Sequence, residues 1–417
     1  MARFADEIEE LSDALVTSAR KVKVLSALSW PQSAADQFLD SWRKGAPEAP
    51  PPRENTPSTK RAQEALREVA ARCDEAHPVG AYLAATATSY RRVAELIDHV
   101  RTPTFHAISR EVYGGADGSL RGSSLCHRDA AEQLLAATDA MAETTKTSEG
   151  DYCLPAEVVA RDLETRWAGF FAEPMRFVVD ADLSAKAAAS SRRVRLRSGT
   201  CFSEQDINQL SAHEIGVHSL TARNGRAQPK LRALSLGAPR TTATQEGIAT
   251  FAELVTGAID LARLRRIALR IRAIGLAEDG ANFVELFTHL VEAGETPSEA
   301  VRSTMRIFRG GNVEGRYPFT KDVVYLKGLF AVHTFLRKAI ADHRPELVER
   351  LFVGRLTLSD TLSLEDEFGS LINTPRYTPR WAAELPSLSA FLAFSVLVDQ
   401  VDLASVNLED VSRFGSA

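Results

Sequence analysis

The chain has 417 residues, of which 44% are apolar and 25% charged, a composition that excludes a disordered or fibrous protein. Fifty Lys and Arg against fifty-five Asp and Glu leave a net charge of −5, so the surface as a whole is no cationic patch, and no nucleic-acid partner is expected. The most apolar stretch, Leu388 to Val398, is interrupted by serines and stopped by Asp399, short of the roughly 20 residues that cross a bilayer, so no membrane association is expected.

The first ten residues, Met1 to Glu10, place acidic side chains where a signal peptide needs basic and apolar ones. Cys73, Cys126, Cys153 and Cys201 form no CxxC and no regular framework. They predict neither a disulfide scaffold nor a thiolate metal site, and a reducing, cytoplasmic location is the expectation. Phe4, Ile8, Leu11, Leu15, Val22, Leu25 and Leu28 recur at helical spacing, and Trp30-Pro31-Gln32-Ser33 reads as a turn into a further helix. Residues 45–58 carry five prolines and read as an extended excursion. Helical periodicity returns over residues 59–100 and again around Asp129 to Thr145, with Thr102-Pro103-Thr104 and Tyr113-Gly114-Gly115 as breaks. Residues 1–150 are thus expected to form a helical N-terminal region.

Beyond Pro174, Met175 to Asp180 and Arg193 to Arg197 have the pattern of short strands joined by an Ala/Ser-rich segment, and helical periodicity resumes after Phe202. The fold class expected is mainly α with a small β-sheet, residues 151–417 forming a second region.

Ser203-Glu204-Gln205-Asp206 has the form of a helix N-terminus. The helix is expected to run through Ile207, Leu210 and Val217 and to stop in left-handed backbone at Asn224-Gly225. Inside it lies His213-Glu214-Ile215-Gly216-Val217-His218, an HExxxH segment. In a regular α-helix, residues five apart point about 140° from one another, against about 40° for residues four apart. Two histidines at this spacing converge only if the helix is distorted, and a π-bulge near Gly216 is predicted. Two imidazoles need a third ligand. Glu246, in Thr244-Gln245-Glu246-Gly247-Ile248-Ala249 near the start of a second helix, is the candidate, with Glu253 two turns further on. The expectation is a zincin-like site with one Zn2+ per chain held by His213, His218 and Glu246, an open fourth position, and Glu214 as general base for amide hydrolysis.

Those segments, together with Asn224-Gly225, Gln228-Pro229 and Phe319-Thr320-Lys321-Asp322-Val323-Val324-Tyr325-Leu326-Lys327-Gly328, resemble the QEGLA-motif family. The resemblance extends to Ser89-Tyr90, Thr102 to Phe105, Tyr113-Gly114, Met305 to Gly311 and Leu351 to Gly354, and departs from the naming motif only at Ile248, which stands for Leu. Bacterial members are called flavohemoglobin expression-modulating QEGLA-motif proteins. Animal members are the microtubule-associated tyrosine carboxypeptidases, which remove C-terminal tyrosine from tubulin. The resemblance implies a zincin-like metallopeptidase with His213, His218 and Glu246 on zinc, Glu214 as base, and a peptide or protein C-terminus as substrate.

A carboxypeptidase needs a cation to hold the substrate's terminal carboxylate. Arg226, Arg306, Arg309, Lys321 and Lys327 are candidates, with Tyr325 as a further donor, and Lys321 with Tyr325 is the preferred pair. Arg306 and Lys327 could instead pair with Asp322 and Glu314. The run Arg263, Arg265, Arg266, Arg270 and Arg272 is expected to be the solvated face of a helix, and His289 and His333 to be packed or surface residues. A competing reading is a regulatory or binding protein with a structural metal, for which Glu253 would be the fourth ligand. An aminopeptidase or endopeptidase is a third, and the oligomeric state is open.

Overall fold

A computed structural model describes residues 2–31, 33–51, 57–142, 153–181, 183 and 186–398. As the periodicity predicts, helices dominate. Ala2–Ala19, Ser33–Arg43, Lys60–Arg72, Pro78–Asp98, Pro103–Tyr113 and His127–Ala142 make up most of the N-terminal portion. Thr102-Pro103 starts a helix, because the threonine side chain accepts from the Phe105 amide and proline occupies the first turn. Within the proline-rich stretch, residues 52–56 lie outside the described residues. Residues 46–51 have no helix or strand, and Trp30 Nε1 donates to the Pro51 carbonyl at 2.8 Å. The end of the helix expected to reach Thr145 also falls outside the described residues.

The sheet has three strands, β1 (Arg176–Asp180), β2 (Ala187–Ala189) and β3 (Arg193–Arg197), in the order β1-β3-β2. β3 runs parallel to β1 and antiparallel to β2. The Ala/Ser-rich joining segment therefore supplies an edge strand that its composition does not suggest.

One apolar cluster packs Val194 and Leu196 of the sheet against Ile207, Ile215 and Val217, then Ile248, Phe251, Val332 and Phe352. Each such side chain adds about 1.5–3 kcal/mol on full burial. A second cluster joins Leu83, Tyr90, Phe105 and Tyr113 to Leu231, Leu234, Phe319 and Val353. The N-terminal helices are thus packed directly onto the later part of the chain, with Ser109 Oγ 2.9 Å from Thr320 Oγ1 and His106 Nδ1 2.9 Å from the Pro318 carbonyl. Among the described residues no helix is long and apolar enough to cross a membrane.

Two expectations are corrected. Asn224-Gly225 does not end its helix, which continues to Ala227 before Gln228-Pro229 stops it. Gly225 is there for close approach, since a Cβ would stand 2.4 Å from the Leu234 carbonyl. Asn224 donates to the Phe352 and Tyr377 carbonyls and accepts from the Tyr377 amide, so it pins a distant segment to the helix. The second correction concerns the cysteines. Cys153 and Cys201 form a disulfide, their Cα atoms 4.9 Å apart. The Leu154–Phe202 backbone bridge beside them brings together two thiols that are 48 residues apart in sequence. Cysteine spacing therefore no longer argues for a reducing compartment.

The helix Thr242–Val255 crosses the helix Val324–Ala341 at backbone contact. A Cβ on Gly247 would lie 2.3 Å from the Gly328 carbonyl oxygen, and one on Gly328 would lie 2.0 Å from that of Ala243. Alanine normally stabilises a helix interior by about 1 kcal/mol over glycine. Here the sign reverses: Gly328→Ala is expected to destabilise by about 1–3 kcal/mol, read as a lower urea midpoint, and an unchanged or raised midpoint would refute the tight crossing.

Candidate metal centre

Ser203 caps the helix Glu204–Leu210 in a capping box with Asp206. The helix then becomes a π-helix over Ser211–Ser219 and returns to α-geometry at Leu220–Ala227. The predicted distortion is therefore nine residues long and contains the whole HExxxH segment. It turns both imidazoles to one side, with His213 Nε2 and His218 Nε2 3.2 Å apart.

Glu246 arrives from the first turns of Thr242–Val255. Its Oε2 lies 3.4 Å from His213 Nε2 and 3.6 Å from His218 Nε2. Ligands bound about 2.0–2.2 Å from a tetrahedral zinc stand about 3.3–3.6 Å from one another. The three atoms match such edges, and Glu246 Oε2 is buried without a hydrogen-bond partner, as an atom reserved for a cation would be. The donor set of two imidazole nitrogens and one carboxylate oxygen suits zinc. Among the described residues this is the group of His, Asp, Glu and Cys side chains disposed to hold a metal.

The partners behind the ligands are charged. Glu246 Oε1 lies 3.5 Å from Lys321 Nζ. Burial opposes ionisation of Glu246, but Lys321 and the two histidines hold its carboxyl well below the usual range. His213 Nδ1 is 2.6 Å from Oε1 of the fully buried Glu253. Arg263 donates to both oxygens of Glu253 at 3.2 Å, and Gln209 donates to Oε1 at 3.3 Å. Burial pushes the Glu253 pKa up, yet His213 and Arg263 outweigh it and pull it down to about 2. Burial likewise disfavours charged His213, but Glu246 and Glu253 on either side raise its pKa to about 10 in the absence of a cation. Glu253, the fourth ligand required by a closed structural site, is turned to the far nitrogen of His213. Glu214, half-buried, follows His213 directly.

The expected carboxylate-binding residues fall in different settings. Lys321 is engaged with Glu246, and its ammonium lies 5.8 Å from the Tyr325 ring centre, with Arg263 5.5 Å away from the same ring. Arg306 is held by both oxygens of Asp322 at 2.7 and 2.8 Å. Lys327 donates to the Tyr113 carbonyl at 3.5 Å. Arg226 is exposed at the end of its helix. Arg309 is half-buried and forms no ion pair among the described residues. Burial and neighbouring Arg306 lower its pKa to about 10.

The arginine run is not a solvated face. Arg263 pairs with Glu253, Arg265 with Asp139, Arg266 with Glu299, Arg270 with Asp322 and Arg272 with Glu132. These carboxylates lie on other elements, which the spacing of the run does not reveal.

Sequence reasoning missed Arg355. Its Nη2 donates to the His218 carbonyl at 3.0 Å, and its Nε is buried without a partner. It lies within electrostatic reach of Glu214, Glu246 and Tyr90. Burial lowers its pKa, the two glutamates opposing the shift. Gly237 makes room for its side chain, and Gly354 lets the preceding backbone pack against Leu234. A Cβ on Gly237 would stand 2.5 Å from Arg355 Nη1, and one on Gly354 would stand 2.6 Å from Leu234 Cβ. Gly354 ended a recognised block, so the signal was one residue away. Tyr90 and Tyr113, from the N-terminal helices, lie within reach of Arg355 and Lys321 respectively, and burial raises both phenol pKa values, that of Tyr113 to about 12.

Among solved structures, Trypanosoma cruzi metallocarboxypeptidase 1 is similar at 14% identity over 81% of this chain and 87% of its own, with a TM-score of 0.33, too distant to carry an argument. No curated protein matches significantly. The profile of the family described as microtubule-associated tyrosine carboxypeptidase matches residues 36–400. That match spans most of the chain, and the protein belongs to the microtubule-associated tyrosine carboxypeptidase family.

Proposed function

We propose that the protein is a zinc-dependent carboxypeptidase that trims the C-terminus of a peptide or protein, with His213, His218 and Glu246 as ligands and Glu214 as general base. The observation that carries this reading is the convergence of three ligand atoms at 3.2, 3.4 and 3.6 Å, the spacing of tetrahedral edges. When bound, zinc would supply Lewis acidity toward the scissile carbonyl and a lowered pKa for the attacking water. Glu214 takes a proton from that water as its oxygen bonds to the carbonyl carbon. The same proton passes to the leaving amine as the C–N bond breaks, which returns Glu214 to its carboxylate form.

Arg355 is our choice for the substrate's terminal carboxylate. Lys321 is already neutralised by Glu246 and Arg306 by Asp322. Arg355 has a buried donor without a partner and lies within reach of both Glu214 and Glu246. The family's name suggests a C-terminal tyrosine on tubulin as the substrate. A chain with net charge −5 has no overall attraction for an acidic polymer, so such a substrate would rely on local contacts.

Two outcomes are expected with zinc-loaded protein and peptides varied in their last two residues. Glu214→Gln should retain zinc and lose about 10²–10⁴-fold in kcat; mass spectra showing wild-type trimming by the variant would refute the assigned base. Arg355→Gln should lose about 10–100-fold in kcat/KM on free-acid peptides, the worth of a charge-assisted hydrogen bond of about 1.5–3 kcal/mol. It should also lose the preference for free-acid over C-terminally amidated peptides, with Arg355→Lys intermediate. Retained discrimination in Arg355→Gln would move the role to another cation.

A further inference from the structure

We propose that Glu253, backed by Arg263, is a positioning residue that fixes His213 with its proton on Nδ1 and its Nε2 lone pair toward the metal. The inference rests on the metal site proposed above. Arg263 donates to both oxygens of Glu253 and Gln209 to Oε1, so both oxygens are already placed as acceptors, and the 2.6 Å contact between Oε1 and His213 Nδ1 is satisfied with the ring proton on Nδ1. The opposite ring nitrogen, Nε2, is the one that faces His218 and Glu246. Which imidazole nitrogen binds a metal is set by the hydrogen bond that the other one makes.

The setting of Glu253 argues for this role. A fully buried carboxylate is expensive without partners, and a buried ion pair adds little stability over an apolar pair. Glu253 is nonetheless given Arg263 on both oxygens and Gln209 on one. Local chain geometry fixes Arg263. Asp260 caps the helix Leu261–Asp279 by accepting from the Arg263 amide at 2.6 Å. In the preceding turn, the Ala258 and Ile259 amides both donate to the Glu253 carbonyl, at 2.7 and 3.1 Å. One short connection thus sets both members of the pair. Contacts also close into a ring, from His213 through Glu253 and Arg263 to the Tyr325 ring, and on through Lys321 to Glu246.

Glutamine at 253 has a single acceptor oxygen, and its NH2 must face either His213 or Arg263, both donors. The test is competition for zinc between the full-length metal-free protein and a chromophoric chelator, alongside the cobalt(II) absorption spectrum and the melting temperature of the metal-free protein. Glu253→Gln is expected to bind zinc about 10–100-fold more weakly and to alter the cobalt spectrum, with a lowered metal-free melting temperature, because Arg263 loses its buried counter-charge, but with the protein still folded at the assay temperature. Wild-type zinc affinity in folded Glu253→Gln would overturn the inference. Should that variant not fold, Arg263→Gln carries the test, expected to weaken zinc about tenfold and overturning the inference if it does not. His218→Ala separates this from the site itself. A wild-type protein that fails to bind zinc, or a His218→Ala variant that binds it equally well, would sink the metal-site reading instead.

Discussion

The centre depends on one departure from α-helical geometry. Five-residue spacing sends two side chains to different faces of a regular helix, and the π-helical segment Ser211–Ser219 restores them to one. It sits between a capped α-helix at Ser203 and the α-helical turns from Leu220, so regular structure on both sides anchors the irregular turn. Ile215 and Val217, between the histidines in sequence, are fully buried on the opposite side. The apolar core thus holds the distortion from behind while the polar side faces the ligands.

Around that turn the protein manages charge at close range. Glu246 and Glu253 approach His213 from its two nitrogens, and each has its own cation, Lys321 and Arg263. Both carboxylates stay ionised in spite of burial. The pairs keep the acidic ligand and the acidic neighbour from competing for one cation. Arg355, by contrast, keeps a buried donor without a partner.

What could be read in the sequence was local. The Ser203 start, the bulge demanded by HExxxH, Glu246 and the mainly helical fold with two of its three strands all follow from spacing along a single element or from a recognised motif. Features that depend on what lies opposite could not be read. Asn224-Gly225 looks like a helix stop because the signal for a stop and the signal for a close crossing are the same small residue. The arginine run looks solvated until Asp139, Glu253, Glu299, Asp322 and Glu132 are brought to it. The Cys153–Cys201 pair and the approach of Arg355 to His218 are likewise tertiary facts, separated by long stretches of chain.

His218 serves at both of its ends. Its imidazole is one of the three side chains disposed to hold a metal, and its carbonyl accepts from Arg355. With Arg355 as the anchor for a terminal carboxylate, the gap between the point of cleavage and the point of capture is spanned by one residue of the enzyme. Such a gap works as a molecular ruler. On the proposed reading, the distance from capture to cleavage is set by the backbone of the π-helical turn, so changing it would mean rebuilding that turn.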